Sequence, residues 1–147
     1  MQPVHSAVKD YRFYHQIRVR YPEVDMQQIV FNANYLTYLD MAWVEYLRNI
    51  GLDYGELLKN HEFDSVVAKV TMEYKKPARY DEVLDIYVRV PKLGNKSIPI
   101  HFTVCKEGTE EIVLEGEIFH VSYDFEKELS CPIPAFVEEK IRLFEGF

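Results

Sequence analysis

Sixteen residues, Tyr35 to Ile50, constrain this chain more than any other stretch, because eleven of them are apolar or aromatic and only Thr37, Asp40, Glu45, Arg48 and Asn49 are polar. At about 100° per residue those five polar positions fall within about half the perimeter of a helix, leaving an apolar face wider than the stripe of an ordinary surface helix. Gly51 stops the run, as a residue that ends helices does. A helix over 35–50 is therefore predicted, and it has to be enclosed.

The sequence that follows can enclose it. Residues 64–75 alternate, with Val66, Ala68, Val70, Met72 and Tyr74 on one face and Lys69, Thr71, Glu73 and Lys75 mainly on the other; this is the period of a strand. The same period recurs over 82–90 (Leu84, Ile86, Val88, Val90) and 97–105 (Ile98, Ile100, Phe102, Val104). A further strand is expected over 111–123. There the apolar phase shifts from Ile112 and Leu114 to Phe119, Val121 and Tyr123, which reads as a bulge at Gly116. Residues 11–20 offer one more strand before the helix, and Phe136, Val137, Ile141 and Phe144 mark an amphipathic segment over 134–145. The short connections Leu93 to Lys96 and Glu107 to Thr109 require antiparallel neighbours. The expected order is one strand, the helix, then four strands in a meander. That is an α+β fold in which a curved antiparallel sheet wraps one long helix, and at 147 residues it fits a single domain over 1–147.

Several function classes are disfavoured before any motif is considered. The net charge of −7 argues against nucleic acid as a partner, since neutralising phosphates takes a clustered excess of Lys and Arg. No apolar run is long enough to span a bilayer, and the start Met1-Gln2-Pro3-Val4-His5 lacks the basic and apolar regions of a secretory signal, so a cytoplasmic protein is expected. Cys105 and Cys131 do not make a disulfide framework or a thiolate site. His5, His15, His61, His101 and His120 are scattered without zinc-ligand spacing, so no metal or other cofactor is expected.

The stretch from Val19 to Gly51 carries the most specific signal. It reads Tyr21, three residues, Asp25, a loop, Ile29-Val30, Phe31, Asn32, then Ala33-Asn34-Tyr35 opening the helix. This resembles the signature of the 4-hydroxybenzoyl-CoA thioesterase family and of the related Tol-Pal-associated acyl-CoA thioesterases. Tyr74-Lys-Lys-Pro-Ala-Arg-Tyr-Asp81, Gly94-Asn-Lys-Ser97 and Pro132-Ile-Pro134 are similar to later landmarks of the same family in the same order. The resemblance implies the hot-dog fold, hydrolysis of an acyl-CoA thioester, a homodimer whose sheets join edge to edge, frequent assembly to a homotetramer, and active sites at subunit interfaces. Two positions depart from the pattern: Gln28 stands where a loop glycine is expected, and Asn32 where the family often has His or Tyr.

The residue types suit that chemistry. Thioester hydrolysis needs a base or nucleophile at the carbonyl carbon and donors aimed at the oxygen that becomes negative. Asp25 can be either base or nucleophile. Backbone N–H groups around Phe31 to Asn34, at a helix start, can be the donors, so the role at Asn32 does not depend on its side chain. Tyr21 is expected to pack and help position Asp25, Asn34 to cap the helix or fix the loop, and Val30 and Phe31 to line the substrate site. Lys75, Lys76 and Arg79 are one candidate cluster for the coenzyme A phosphates; Arg89, Lys92 and Lys96 are another. The alternative from a different class is a non-catalytic acyl-CoA or acyl-carrier-protein binding module on the same fold.

Overall fold

The apolar run becomes the helix α1 (Asn34–Asn49), which opens one residue before the predicted start. The structure, a computed structural model, describes residues 6–147. Strand β1 (Tyr14–Arg18) and a short 3-10 turn (Tyr21–Glu23) precede α1. After it come α2 (Tyr54–Lys59), β2 (Ser65–Tyr74), β3 (Val83–Arg89), β4 (Ser97–Lys106), β5 (Ile112–Asp124), β6 (Leu129–Ser130) and α3 (Ala135–Glu145). Periodicity did not mark α2, whose six residues span less than two turns, or the two-residue β6.

The sheet runs β1-β3-β4-β5-β2, with β6 paired to β5, and every pair is antiparallel. Its inner face, carried by Leu84, Ile86, Val88, Ile98, Ile100, Phe102, Val104, Leu114 and Ile118, curls around Tyr35, Tyr38, Leu39, Ala42, Trp43, Tyr46 and Leu47 of α1 in one buried core. This is the hot-dog arrangement. The four-strand meander is corrected, because β3, β4 and β5 follow one another but β2 lies at the far edge against β5. The reason lies in residues 75–82, which do not turn back as a hairpin. They cross the loop before α1, where Ala78 accepts a hydrogen bond from Val30 N–H at 2.8 Å and Arg79 bridges to Ile29.

The bulge is also displaced from Gly116, which pairs in register with both Met72 and Phe102. The extra residue in β5 is Val113, between partners of Val104 and Cys105, and a second irregularity in β2 falls at Ala68. Ile118, His120 and Ser122 consequently point inward, while Phe119, Val121 and Tyr123 are only half-buried. Val67, not Val66, faces His120. Glycine at 116 instead reflects close approach: a Cβ there would meet the Thr71 carbonyl oxygen at 3.3 Å.

One side of this arrangement is open. Along the unpaired edge of β2, Val67 and Tyr74 are each 51% exposed, and on α1 Met41 is 44% exposed beside Thr37 and Asp40. An uncovered strand edge with apolar side chains is a template for pairing with another chain.

Candidate active site

The motif folds into a small hairpin ahead of α1. Val24 and Val30 form a bridge, Asp25 N–H donates to the Ile29 carbonyl at 3.0 Å, and Phe31 N–H donates to the Glu23 carbonyl at 2.9 Å. Asp25 stands at the turn, half-buried, with its Oδ1 accepting the Gln27 N–H at 2.8 Å and its carbonyl accepting the Gln28 N–H at 2.9 Å. Its second carboxylate oxygen has no hydrogen-bond partner among the described residues. Gln28 takes φ +64°, the left-handed conformation for which glycine is the usual residue. The turn thus keeps its shape without the glycine, at the steric cost of a side chain there.

The start of α1 supplies the donors, and fewer than the span 31–34 suggests. Phe31 N–H is used by Glu23, and Asn34 N–H donates to the Phe31 carbonyl at 2.9 Å. The N–H groups of Asn32 and Ala33 have no acceptor among the described residues. Because the peptide is trans, fixing a carbonyl fixes the adjacent N–H on the opposite side. Tyr74 O–H donates to the Asn32 carbonyl at 3.3 Å and so orients the Ala33 N–H, while the bond received by Phe31 orients the Asn32 N–H. The result is a pair of unsatisfied donors at the positive end of a helix, close in sequence to an ionisable carboxylate.

Asn34 is a loop brace and not a cap. Its Nδ2 donates to the Glu23 carbonyl at 2.9 Å, while Ala33 occupies the capping position without a side-chain bond. Val30 is buried in the core, whereas Phe31 is exposed near the helix start. The packing expected of Tyr21 is not found among the described residues: it is 79% exposed, and its one ring contact there is a T-shaped one with Tyr80, with centroids 6.4 Å apart. The 3-10 turn opened by Tyr21-Pro22 turns its side chain outward, so Tyr21 does not brace Asp25.

The basic residues separate. Arg79 reaches the motif loop through its bridge to Ile29, and its guanidinium has no carboxylate partner among the described residues. Lys75 is paired with Glu73 at 2.8 Å and Lys76 with Glu111 at 3.4 Å. Of the other cluster, Arg89 lies at the opposite end of β3, near Asp10 at 3.8 Å and over the Tyr11 ring, and Lys96 donates to Ser130 Oγ at 3.3 Å. Among the described residues no group of three or more His, Cys, Asp or Glu could hold a metal ion, and no helix is long and apolar enough to cross a membrane.

The residue that pattern reading missed is Glu23. Its carboxylate is buried and receives Arg20 N–H at 2.7 Å, Arg20 Nε and Nη2 at 3.1 and 2.8 Å, and Tyr38 O–H at 2.8 Å. Burial alone would push the Glu23 carboxyl up, but the bonds from Arg20 and Tyr38 together outweigh it and hold the group below its ordinary value. Tyr38 is shifted up, by burial first, then by its hydrogen bond to Glu23 and by the charge of that carboxylate. The signal was present as an Arg-Tyr-Pro-Glu run, in which an acid at the fourth position reaches back to the N–H of the first residue.

Comparison with known proteins agrees with this architecture. The long-chain acyl-CoA thioesterase FadM of Escherichia coli (strain K12) is 27% identical over 86% of this chain and 94% of its own. The acyl-CoA thioester hydrolase YbgC of Escherichia coli O6:H1 is 30% identical over 74% of this chain and 79% of its own. A solved structure from Aquifex aeolicus superposes with a TM-score of 0.81 at 28% identity, covering 88% of this chain and 98% of that one. The family profile that matches spans residues 19–141, from the strand end before Asp25 into α3, and by that match the chain belongs to the Thioesterase-like superfamily.

Proposed function

We propose that this chain hydrolyses acyl-CoA thioesters, with Asp25 as the general base or nucleophile and the backbone N–H groups of Asn32 and Ala33 as the oxyanion donors. The observation that carries the reading is the pairing, within one nine-residue span, of a carboxylate with an unengaged oxygen and two N–H groups without an acceptor among the described residues at the entry of α1. Thioester hydrolysis is the reaction class of the matched relatives by their names. The narrower affinity, to the 4-hydroxybenzoyl-CoA and Tol-Pal-associated thioesterases, rests on the motif around Asp25.

In the reaction the thioester carbonyl oxygen lies toward the Asn32 and Ala33 N–H groups, and the carbonyl carbon faces the Asp25 carboxylate. Asp25 either attacks that carbon and expels the coenzyme A thiolate, giving a mixed anhydride that water then opens to the free acid, or takes a proton from an attacking water, whose tetrahedral adduct breaks its C–S bond to release the same thiolate. In both routes the tetrahedral oxygen gains negative charge beside the helix terminus, where each good donor contributes about 3 kcal/mol. Arg79, adjacent to the loop and without an acidic partner, is the cation best placed for a coenzyme A phosphate. Lys75 and Lys76 precede it in the same connection between β2 and β3, though each holds a glutamate.

The functional unit we infer is a homodimer or homotetramer, in which the open edge of β2 and the exposed side of α1 meet a second copy. A cytoplasmic, single-domain protein without a metal or other cofactor completes the reading. The test is a panel of short-chain, long-chain and aromatic acyl-CoA substrates, followed by release of free thiol. Turnover of at least one member supports the proposal. Binding of coenzyme A esters without turnover of any would replace it by the non-catalytic binding module.

A further inference from the structure

We propose that Glu23 is a positioning residue for this reaction, holding the Asp25 turn and the helix-entry donors in one geometry; the inference rests on the functional reading of Asp25 given above. Glu23 uses both of its ends. Its side chain joins Arg20, at the start of the hairpin, to Tyr38, one turn into α1, through four hydrogen bonds of 2.7 to 3.1 Å. Its backbone carbonyl meanwhile accepts Phe31 N–H and Asn34 Nδ2, both at 2.9 Å. The residue two before Asp25 is therefore tied to the helix that carries the oxyanion donors, and to the residue immediately preceding the first of them.

This arrangement constrains the separation of the reacting groups. Asp25 follows Glu23 through Val24, which is bridged to Val30, and the Asn32 N–H follows Phe31, whose own N–H is held by Glu23. The paths from Glu23 to the base and to the donors are each two residues or fewer of hydrogen-bonded backbone. Loss of the carboxylate charge would free Arg20 and Tyr38, let the hairpin shift against α1, and move the carboxylate relative to the donors. A misplacement of about 1 Å in such a site can cost a hundredfold in rate.

The test is Glu23→Gln in the full chain, which keeps the side-chain length but turns one of the two accepting oxygens into an NH2 donor, so that either both guanidinium bonds or those from Arg20 N–H and Tyr38 O–H are lost. The expected result is a kcat at least about tenfold lower, with KM and affinity for a non-hydrolysable acyl-CoA analogue within about twofold. Arg20→Gln should lower kcat in the same way, and the double variant should lose less than the product of the two, because both act through one network. If Glu23→Gln does not fold, Arg20→Gln and Tyr38→Phe must give the same loss confined to kcat. A folded Glu23→Gln protein with unchanged kcat, or one whose loss is wholly in KM, overturns the proposal. Should Asp25→Asn abolish turnover while a folded Glu23→Gln protein keeps the wild-type kcat, this inference alone fails. If Asp25→Asn itself keeps its rate, the functional reading fails first.

Discussion

The two ends of α1 are held by different physics. At its carboxyl half Trp43 stacks on Tyr46 with centroids 5.2 Å apart, and Tyr46 meets the edges of Phe13 and Phe144 at 5.8 and 5.5 Å. The one polar atom of Tyr46 is used, since its hydroxyl donates to Glu145 Oε1 at 2.8 Å, and that same oxygen accepts Val90 N–H at 3.2 Å. At its amino end rings pack as well, Tyr35 against Tyr38 and Tyr74 with centroids 5.7 and 5.8 Å apart, but hydrogen bonds among Glu23, Asn34, Tyr38, Tyr74 and Asn32 brace the turn ahead of the helix, and two N–H groups there have no acceptor among the described residues. Packed rings close one end of the helix and stabilise the fold. The other end is braced by polar contacts as well, yet left with two donors that have no acceptor among the described residues, on the exposed Asn32 and Ala33. On the proposed reading a single helix separates stability from chemistry.

If that division is right, damage at the packed half should be a stability effect with little catalytic signature. Trp43→Ala removes a buried ring and should cost about 3–5 kcal/mol in urea unfolding, with kcat per folded molecule nearly unchanged. A small stability loss with a large kcat loss would break the comparison. The pH response sharpens it. His120, whose ring lies against Trp43 with centroids 5.7 Å apart, is pushed by burial from 6.5 down to about 4. The unfolded chain therefore takes up the proton first as pH falls. The stability tied to neutral His120 is complete above 6.5, declines between 6.5 and 4, and is gone below 4. The total is about 3 kcal/mol, read as the difference between wild type and His120→Gln across that range. Parallel stability curves for the two proteins would contradict the burial account. At the open end Asn32→Ala should lower kcat by less than about tenfold, because the donor is its backbone. A loss equal to that of Asp25→Asn in an equally folded protein would bring the amide side chain into the catalytic set.

The packed half was the more legible of the two in the sequence. Alternation and helical spacing report burial directly, so α1, β3 and β4 fall within a residue or so of their expected bounds. What periodicity cannot express is which strand pairs with which: β2 crosses to β5 because residues 75–82 bind the motif loop, a long-range contact with no local pattern. Bulges shift the phase silently, so Val113 and Ala68 took the irregularities while Gly116 seemed the natural site. At the open end the motif located Asp25 and the helix start, but not the division of labour. Tyr21 points to solvent, Asn34 braces the loop, and Glu23 carries hydrogen bonds at the turn where Tyr21 was expected to pack. The left-handed turn at Gln28 was hidden as well, because a glutamine there does not announce a positive φ.

The most direct test of the central claim, that the amino end of α1 is where a thioester is cleaved by Asp25, is Asp25→Asn assayed on whichever acyl-CoA the panel shows to be turned over. The substitution keeps size and the bond from Gln27 N–H while removing the negative charge that attack or proton abstraction requires. We expect kcat to fall by at least about a hundredfold, with affinity for a non-hydrolysable acyl-CoA analogue little changed. A folded Asp25→Asn protein that keeps its kcat within a few-fold of wild type would contradict the account.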